Sequence, residues 1–216
     1  MHPARDKRSG TLSGFDFRRV DEPREIERDA AQMAQWIFDS GSQFFTVLFG
    51  SRARAIENLQ NWVERESSEF SARQATLAYA HGDPAGMIIG VCGDEIPQRR
   101  RADLLALIQQ TAAADRIALK AKLENIAELT APVSAGDYYV RTLAVDAAQR
   151  GRGLGRELLK QAMQEARGLG FERVRLDVDS DNAVARALYA SAGFSSIYEG
   201  RVDALRLHMH SLALTF

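Results

Sequence analysis

A single cysteine, Cys92, occurs among the 216 residues. One thiol cannot close an internal disulfide, so the fold must be held by its core, and this cysteine usage fits a reducing cytoplasm. Cys92 lies in an apolar stretch, where a free thiol reads as an inert core residue. Long hydrophobic runs are missing too. None approaches the ~18 apolar residues of a membrane span. Residues 1–8 have no apolar region behind them, so no signal peptide is expected, and 1–14 reads as a flexible tail. Neither sign of charge is in excess: 28 Lys and Arg face 29 Asp and Glu, a net charge of −1. That argues against a nucleic-acid partner, as the apolar pattern argues against a membrane. No Lys-Ser or Lys-Thr occurs, which excludes a Gly-x-x-x-x-Gly-Lys-Ser/Thr phosphate loop.

What is present is enough for one core-forming domain over 15–216: 45% of the residues are hydrophobic and 26% charged. Its organising stretch runs from Tyr139 to Leu158. Tyr139 to Val145 is an apolar run rich in β-formers and predicts a buried strand. Gly151, Gly153 and Gly155 follow, spaced two apart. Leu154, Leu158, Leu159, Ala162, Met163 and Ala166 then recur at helical spacing. Strand, glycine-rich turn and helix leave unpartnered N–H groups at a helix N-terminus, where the dipole favours an anion and phosphate is the natural guest. Glycine removes the Cβ between amide and ligand, and Arg150, Arg152 and Arg156 add cations. A dinucleotide fingerprint is excluded, because the sixth residue counted from Gly151 is Arg156 rather than glycine.

The stretch Arg150-x-x-Gly153-x-Gly155, after a strand ending Leu143-Ala144-Val145, resembles the coenzyme A pyrophosphate loop of the GNAT superfamily of N-acetyltransferases, Gln/Arg-x-x-Gly-x-Gly/Ala. The likeness continues downstream through a strand at Val174–Val178, Asn182, a short helix with Tyr189 seven residues beyond, and Gly193-Phe194. Asn182 is a good N-cap and Gly193 a good left-handed stop. The resemblance is close over 138–198 and covers the first half in outline. It implies a GNAT fold of the α/β (α+β mixed) class: a central mixed sheet of six or seven strands flanked by helices.

The first half fits that order. Phe15 and Phe17 alternate with polar residues in a strand near 15–20. Pro23 opens a helix carrying Ile26, Ala30, Met33, Ala34, Ile37 and Phe38, which Gly41 stops. Residues 44–49 read as a short helix or loop whose aromatics either line an acceptor pocket or pack the core. A helix is expected over 51–69, then a hairpin of 75–80 and 87–92 turning at 81–84. Residues 97–136 depart from the family as a helical insertion between the third and fourth expected strands, covering the acceptor site or forming an interface such as a homodimer. The run Gln98-Arg-Arg-Arg101 opens it, either answering an anion or solvated. Residues 195–198 and 204–210 read as strands. His208 and His210 share a face, but no further ligand pattern accompanies them, and no metal is expected.

The resemblance implies attack of an amine on the thioester of acetyl-coenzyme A. Arg150, Gly151, Arg152, Gly153, Leu154, Gly155 and Arg156 would hold the pyrophosphate. Leu143, Ala144 and Val145 would pair with the pantetheine arm, with a backbone N–H near Leu143 facing the thioester carbonyl. Asn182 would complete the coenzyme site. Tyr189 matches the family's general acid, a phenol suited to protonating a thiolate. Asp177 is the first choice of base; Asp179, Glu95 and a water chain are the others. The acceptor reads as a small-molecule amine. The alternatives are a protein amino group or a non-catalytic acyl-coenzyme A-binding module on the same fold.

Overall fold

The computed structural model describes residues 11, 12 and 14–216, so the expected tail falls mostly outside the described residues. Where it is described, Thr11–Leu12 (β1) pairs with Phe15–Arg19 (β2). The remaining strands are Ala75–Ala80 (β3), Asp83–Cys92 (β4), Asp137–Val145 (β5), Arg173–Asp179 (β6), Ser195–Val202 (β7) and Leu207–Thr215 (β8). They form one eight-stranded sheet in the order β1-β2-β3-β4-β5-β6-β8-β7. Among the described strands, only β5 and β6 pair in parallel. The helices are Pro23–Ser40 (α1), Ser42–Phe49 (α2), Arg52–Glu64 (α3), Ile96–Gln110 (α4), Arg116–Ala127 (α5), Leu154–Gly168 (α6) and Ala183–Ser191 (α7). This is the mixed sheet with flanking helices that the sequence implies.

Each face of the sheet has its own core. On one side α1, α2 and α3 pack Met33, Ile37, Phe45, Leu59 and Trp62 onto Leu77, Met87 and Ile89, joined by Leu107 of α4 and Leu119 of α5. On the other, α6 packs Leu154, Leu158, Leu159 and Ala162 onto Ile88, Val140, Val174 and Leu176, with Tyr189 of α7. The spacing of these residues on each helix turns one stripe toward the sheet. α1 begins at Pro23 and ends at Gly41, whose N–H donates to the Phe38 carbonyl at 3.1 Å. Ser51 caps α3 through the Arg54 amide. Among the described residues, no helix is long and apolar enough to cross a membrane.

Four expectations move. The third helix stops at Glu64, not near Glu69. There the chain turns so that Phe70 stacks on Trp62, ring centroids 5.5 Å apart, and the Glu69 amide reaches Asp103. The β3–β4 turn needs only His81 and Gly82, both with positive φ, as a two-residue hairpin of matching twist requires. Asp83 and Pro84 therefore join β4. In the 97–136 stretch, α4 and α5 are followed by a non-helical segment from 128 to 136. Finally, β7 continues to Val202 and β8 to Thr215. β7 is a largely exposed edge strand, so its sequence carries little apolar alternation.

Candidate active site

The site begins with a fault in strand pairing. β4 matches Ile89 with Thr142 but Gly90 with Val140, leaving Arg141 as an extra residue in β5. Such a bulge bends its strand. The parallel ladder to β6 runs only from Asp137↔Arg173 to Val140↔Leu176. Beyond it the two strands part, and Arg141 to Val145 have no partner strand on the β6 side. Gly90 is required opposite the bulge: a Cβ there would lie 2.0 Å from the Tyr138 hydroxyl. A cavity of about 430 Å³ occupies the fork, lined by Leu143, Asp177, Asp179, Asn182 and Tyr189 on one side. It continues over the other face of the sheet to α2, α4 and α5.

At the far end of β5 is the glycine loop. Gly151 and Gly153 take left-handed φ of 76° and 81°, the backbone region only glycine enters at no cost. Gly153 is the N-cap of α6. Gly155 is helical, and a Cβ there would make ordinary contact with Val145 and Leu188 at 3.5 and 3.6 Å. The amides of 151–156 donate to no backbone carbonyl among the described residues, so the loop has the donors a pyrophosphate needs. Arg150 bonds the Val145 carbonyl at 3.2 Å, and Arg156 bonds Ser191 Oγ at 3.1 Å. Arg152 bonds Gln149 and stacks on Phe15. The three arginines thus stay on the loop's rim, while the helix dipole and amides face outward along its axis.

Tyr189 is 6% exposed, its ring 5.9 Å from that of Phe194. Its hydroxyl has no hydrogen bond among the described residues, and burial holds its ionisation above the ordinary phenol range. Asn182 caps α7 through the Ala185 amide at 3.1 Å and lines the cavity. Asp177 reaches the cavity with three donors on it: Tyr139 at 2.7 Å, Ser211 at 2.5 Å and the Arg175 guanidinium at 3.3 Å. Three of its roughly four acceptor positions are taken, so it is the more firmly held of the two strand carboxylates. Asp179, two residues on, accepts no side-chain bond among the described residues. Burial first, and the neighbouring Asp181 second, push its carboxyl up to about 6. Glu95 is outside the cavity, tied to Arg99 at 2.8 Å.

The other half of the cavity was not legible in the sequence. Glu69, 6% exposed, meets Arg100 of α4 at 3.2 Å and Arg141 of β5 at 3.4 Å. Burial opposes its charge, but Arg141 and then Arg100 outweigh it and hold the carboxyl below its usual range. Arg141 also lies 4.0 Å over the Phe70 ring. The Arg99–Arg101 run is therefore answered mostly from within, Arg99 by Glu95 and Arg100 by Glu69. A charged residue inside the apolar run Tyr-Val-Arg-Thr-Leu was the one available signal. The segment after α5 closes the cavity along β8 and β7. Arg175 donates to the Pro132 and Ala131 carbonyls, Ser211 accepts from the Ala131 amide, and Tyr198 donates to the Glu128 carbonyl.

Residues 33–194 match the sequence profile of the Acetyltransferase (GNAT) family. The chain belongs to this family. Among solved structures, this GNAT chain resembles an N-acetyltransferase from Staphylococcus aureus Mu50 with TM-score 0.69 at 18% identity, over 92% of this chain and 99% of that one. A mycothiol acetyltransferase of Beutenbergia cavernae is 45% identical over 62 residues, 29% of this chain. The N-alpha-acetyltransferase RimI of Mycobacterium tuberculosis is 46% identical over 64 residues, 28% of this chain. These matches span only 20% and 37% of the two relatives' own lengths.

One cluster lies apart from the cavity. His208 and His210 have ring centroids 5.5 Å apart, and His208 Nε2 is 2.6 Å from Glu199 Oε1 on β7. The expectation of no metal rested on the want of a third ligand. Glu199 is such a group, and the three offer ligand atoms within 4.8 Å of one another.

Proposed function

We propose that this GNAT chain transfers the acetyl group of acetyl-coenzyme A to the amine of a small molecule. The observation that carries the reading is the fork: a stretch of β5 without a partner strand on the β6 side leads from the glycine loop to a cavity lined by Tyr189 and Asp179. Acetyl-coenzyme A supplies the acyl group already activated as a thioester. The 151–156 amides bind the pyrophosphate, Leu143 to Val145 align the pantetheine, and the backbone near Leu143 faces the thioester carbonyl. Asp179 replaces Asp177 as the base that accepts the ammonium proton. Its raised affinity for a proton brings it toward the pH at which a base works best. Asp177 is then a positioning residue, which holds Tyr139 and Arg175. Tyr189 donates its hydroxyl proton to the departing thiolate.

The walls that α4, α5 and 129–132 add to the cavity favour a small acceptor over a protein chain. The buried Cys92, the single cysteine of the sequence, suits the cytoplasmic location the composition implies. Exposed Leu105, Ile108 and Ile117 on the insertion would suit a second copy of the chain. The test is free-thiol release from acetyl-coenzyme A with a panel of small amines and N-terminal peptides. Turnover with small amines and not with peptides is expected. Peptide-only turnover reverses the acceptor class, and coenzyme binding without any transfer supports a non-catalytic binding module.

A further inference from the structure

At the acceptor end of the cavity two arginines, Arg100 and Arg141, share one buried carboxylate, Glu69. Asp103 binds the Ser68 hydroxyl and the Glu69 amide, both at 3.0 Å, with Arg65 as the cation that favours its charge. Asp177 has Arg175 at 3.3 Å. Glu69 has Arg100 at 3.2 Å. Arg141 faces the same carboxylate through its Nε at 3.4 Å, short of hydrogen-bond geometry. Phe70 covers one face of the Arg141 guanidinium at 4.0 Å. The walls around it, Phe44, Phe45, Trp62, Phe70, Leu123 and Ile126, are apolar. At the other end, Asp179 is an anion with no cation of its own.

A cavity with two arginines around one carboxylate at one end, Asp179 at the reacting end and apolar walls between them selects a bipolar ligand. We infer that the acceptor amine carries a carboxylate on an apolar body, with the carboxylate held by Arg141 and Arg100 and the amine turned toward Asp179. The planar guanidinium fork matches a carboxylate in two parallel bonds, and Arg141 is presented by the β5 bulge itself. This rests on the reading of the chain as an N-acetyltransferase, but the subsite can be tested without turnover.

The probes are phenethylamine, phenylalanine and 4-(2-aminoethyl)benzoate, which share an aromatic body and an amine and differ in the carboxylate. Calorimetry on the coenzyme A-loaded protein should show a carboxylate-bearing probe binding at least about tenfold tighter than phenethylamine. Arg141→Gln should reduce that preference to within about twofold while leaving coenzyme A affinity unchanged. Should Arg141→Gln fail to fold, Glu69→Gln is the second variant. It frees both guanidinium groups and should increase the preference. Equal or tighter binding of phenethylamine to the wild type overturns the inference, as does failure of all three probes to bind. A preference that survives both Arg141→Gln and Arg100→Gln overturns it too. Tight carboxylate binding without acetylation supports the subsite and overturns the transferase reading alone.

Discussion

Tyr139 on β5 donates its hydroxyl at 2.7 Å to Asp177 on β6, the first β6 residue beyond the last parallel ladder pair, Val140↔Leu176. The bond clasps the two strands where their backbones cease to hold each other. Burial first, with the Asp177 charge second, keeps the Tyr139 phenol protonated. A double-mutant cycle of Tyr139→Phe and Asp177→Asn, read by urea unfolding, should give a coupling of about 1–3 kcal/mol, the range for a bond to a buried charged acceptor. Additive losses would mean that the fork is held by the bulge alone.

The loop prediction follows from the open amides. Gly153→Glu places a negative side chain on a residue with φ of 81° where the pyrophosphate is expected. Coenzyme A affinity should fall at least about tenfold, roughly 1.4 kcal/mol. Circular dichroism must first show the variant folded. Unchanged affinity in a folded variant would move the coenzyme elsewhere.

Asp179 as base has a pH signature. With its carboxyl near 6, the base is ionised above that pH and protonated below. The rate per encounter should therefore rise through about pH 6 and level off. Asp179→Asn should remove this limb and lower turnover about 10²-fold. Retention of the limb in the variant would return the role to a water chain.

Asp103 gives a prediction on stability. Burial comes first among the causes that raise its carboxyl from 3.8 to about 6. A raised folded value means a contribution that is fully present below about pH 4 and lost as pH rises through about 6. The whole effect is on the order of 3 kcal/mol at 1.36 kcal/mol per pKa unit. Asp103→Asn can keep the bonds from Ser68 and the Glu69 amide but cannot ionise. Its stability relative to wild type should therefore improve from pH 4 to pH 7; parallel pH curves would show that Asp103 is solvated.

How much of this could be read in advance depends on sequence distance. The loop and the Asn182–Tyr189 helix are local patterns, each complete within a short stretch, and their glycine and capping geometry appears at the expected residues. The Glu69–Arg100–Arg141 cluster joins positions 31 and more residues apart, which no periodicity encodes. The bulge at Arg141 has no local mark, since its sign is the small Gly90 on the neighbouring strand. Asp177 and Asp179 look alike on a strand face. Only the donors that converge on the first, from Tyr139, Ser211 and Arg175, separate a held carboxylate from an open one. The end of α3 was misplaced for a similar reason: Phe70 and Glu69 leave the helix to meet partners on other elements.

The most direct test of the account is single-turnover transfer from isotopically labelled acetyl-coenzyme A to a small amine, comparing wild type with Tyr189→Phe. The account predicts labelled amide product from the wild type. It predicts a rate about 10²-fold lower in the variant, with coenzyme A affinity unchanged because the 151–156 amides are untouched. Wild-type protein that binds coenzyme A yet transfers label to no amine, or a Tyr189→Phe variant that transfers at the wild-type rate, would contradict it.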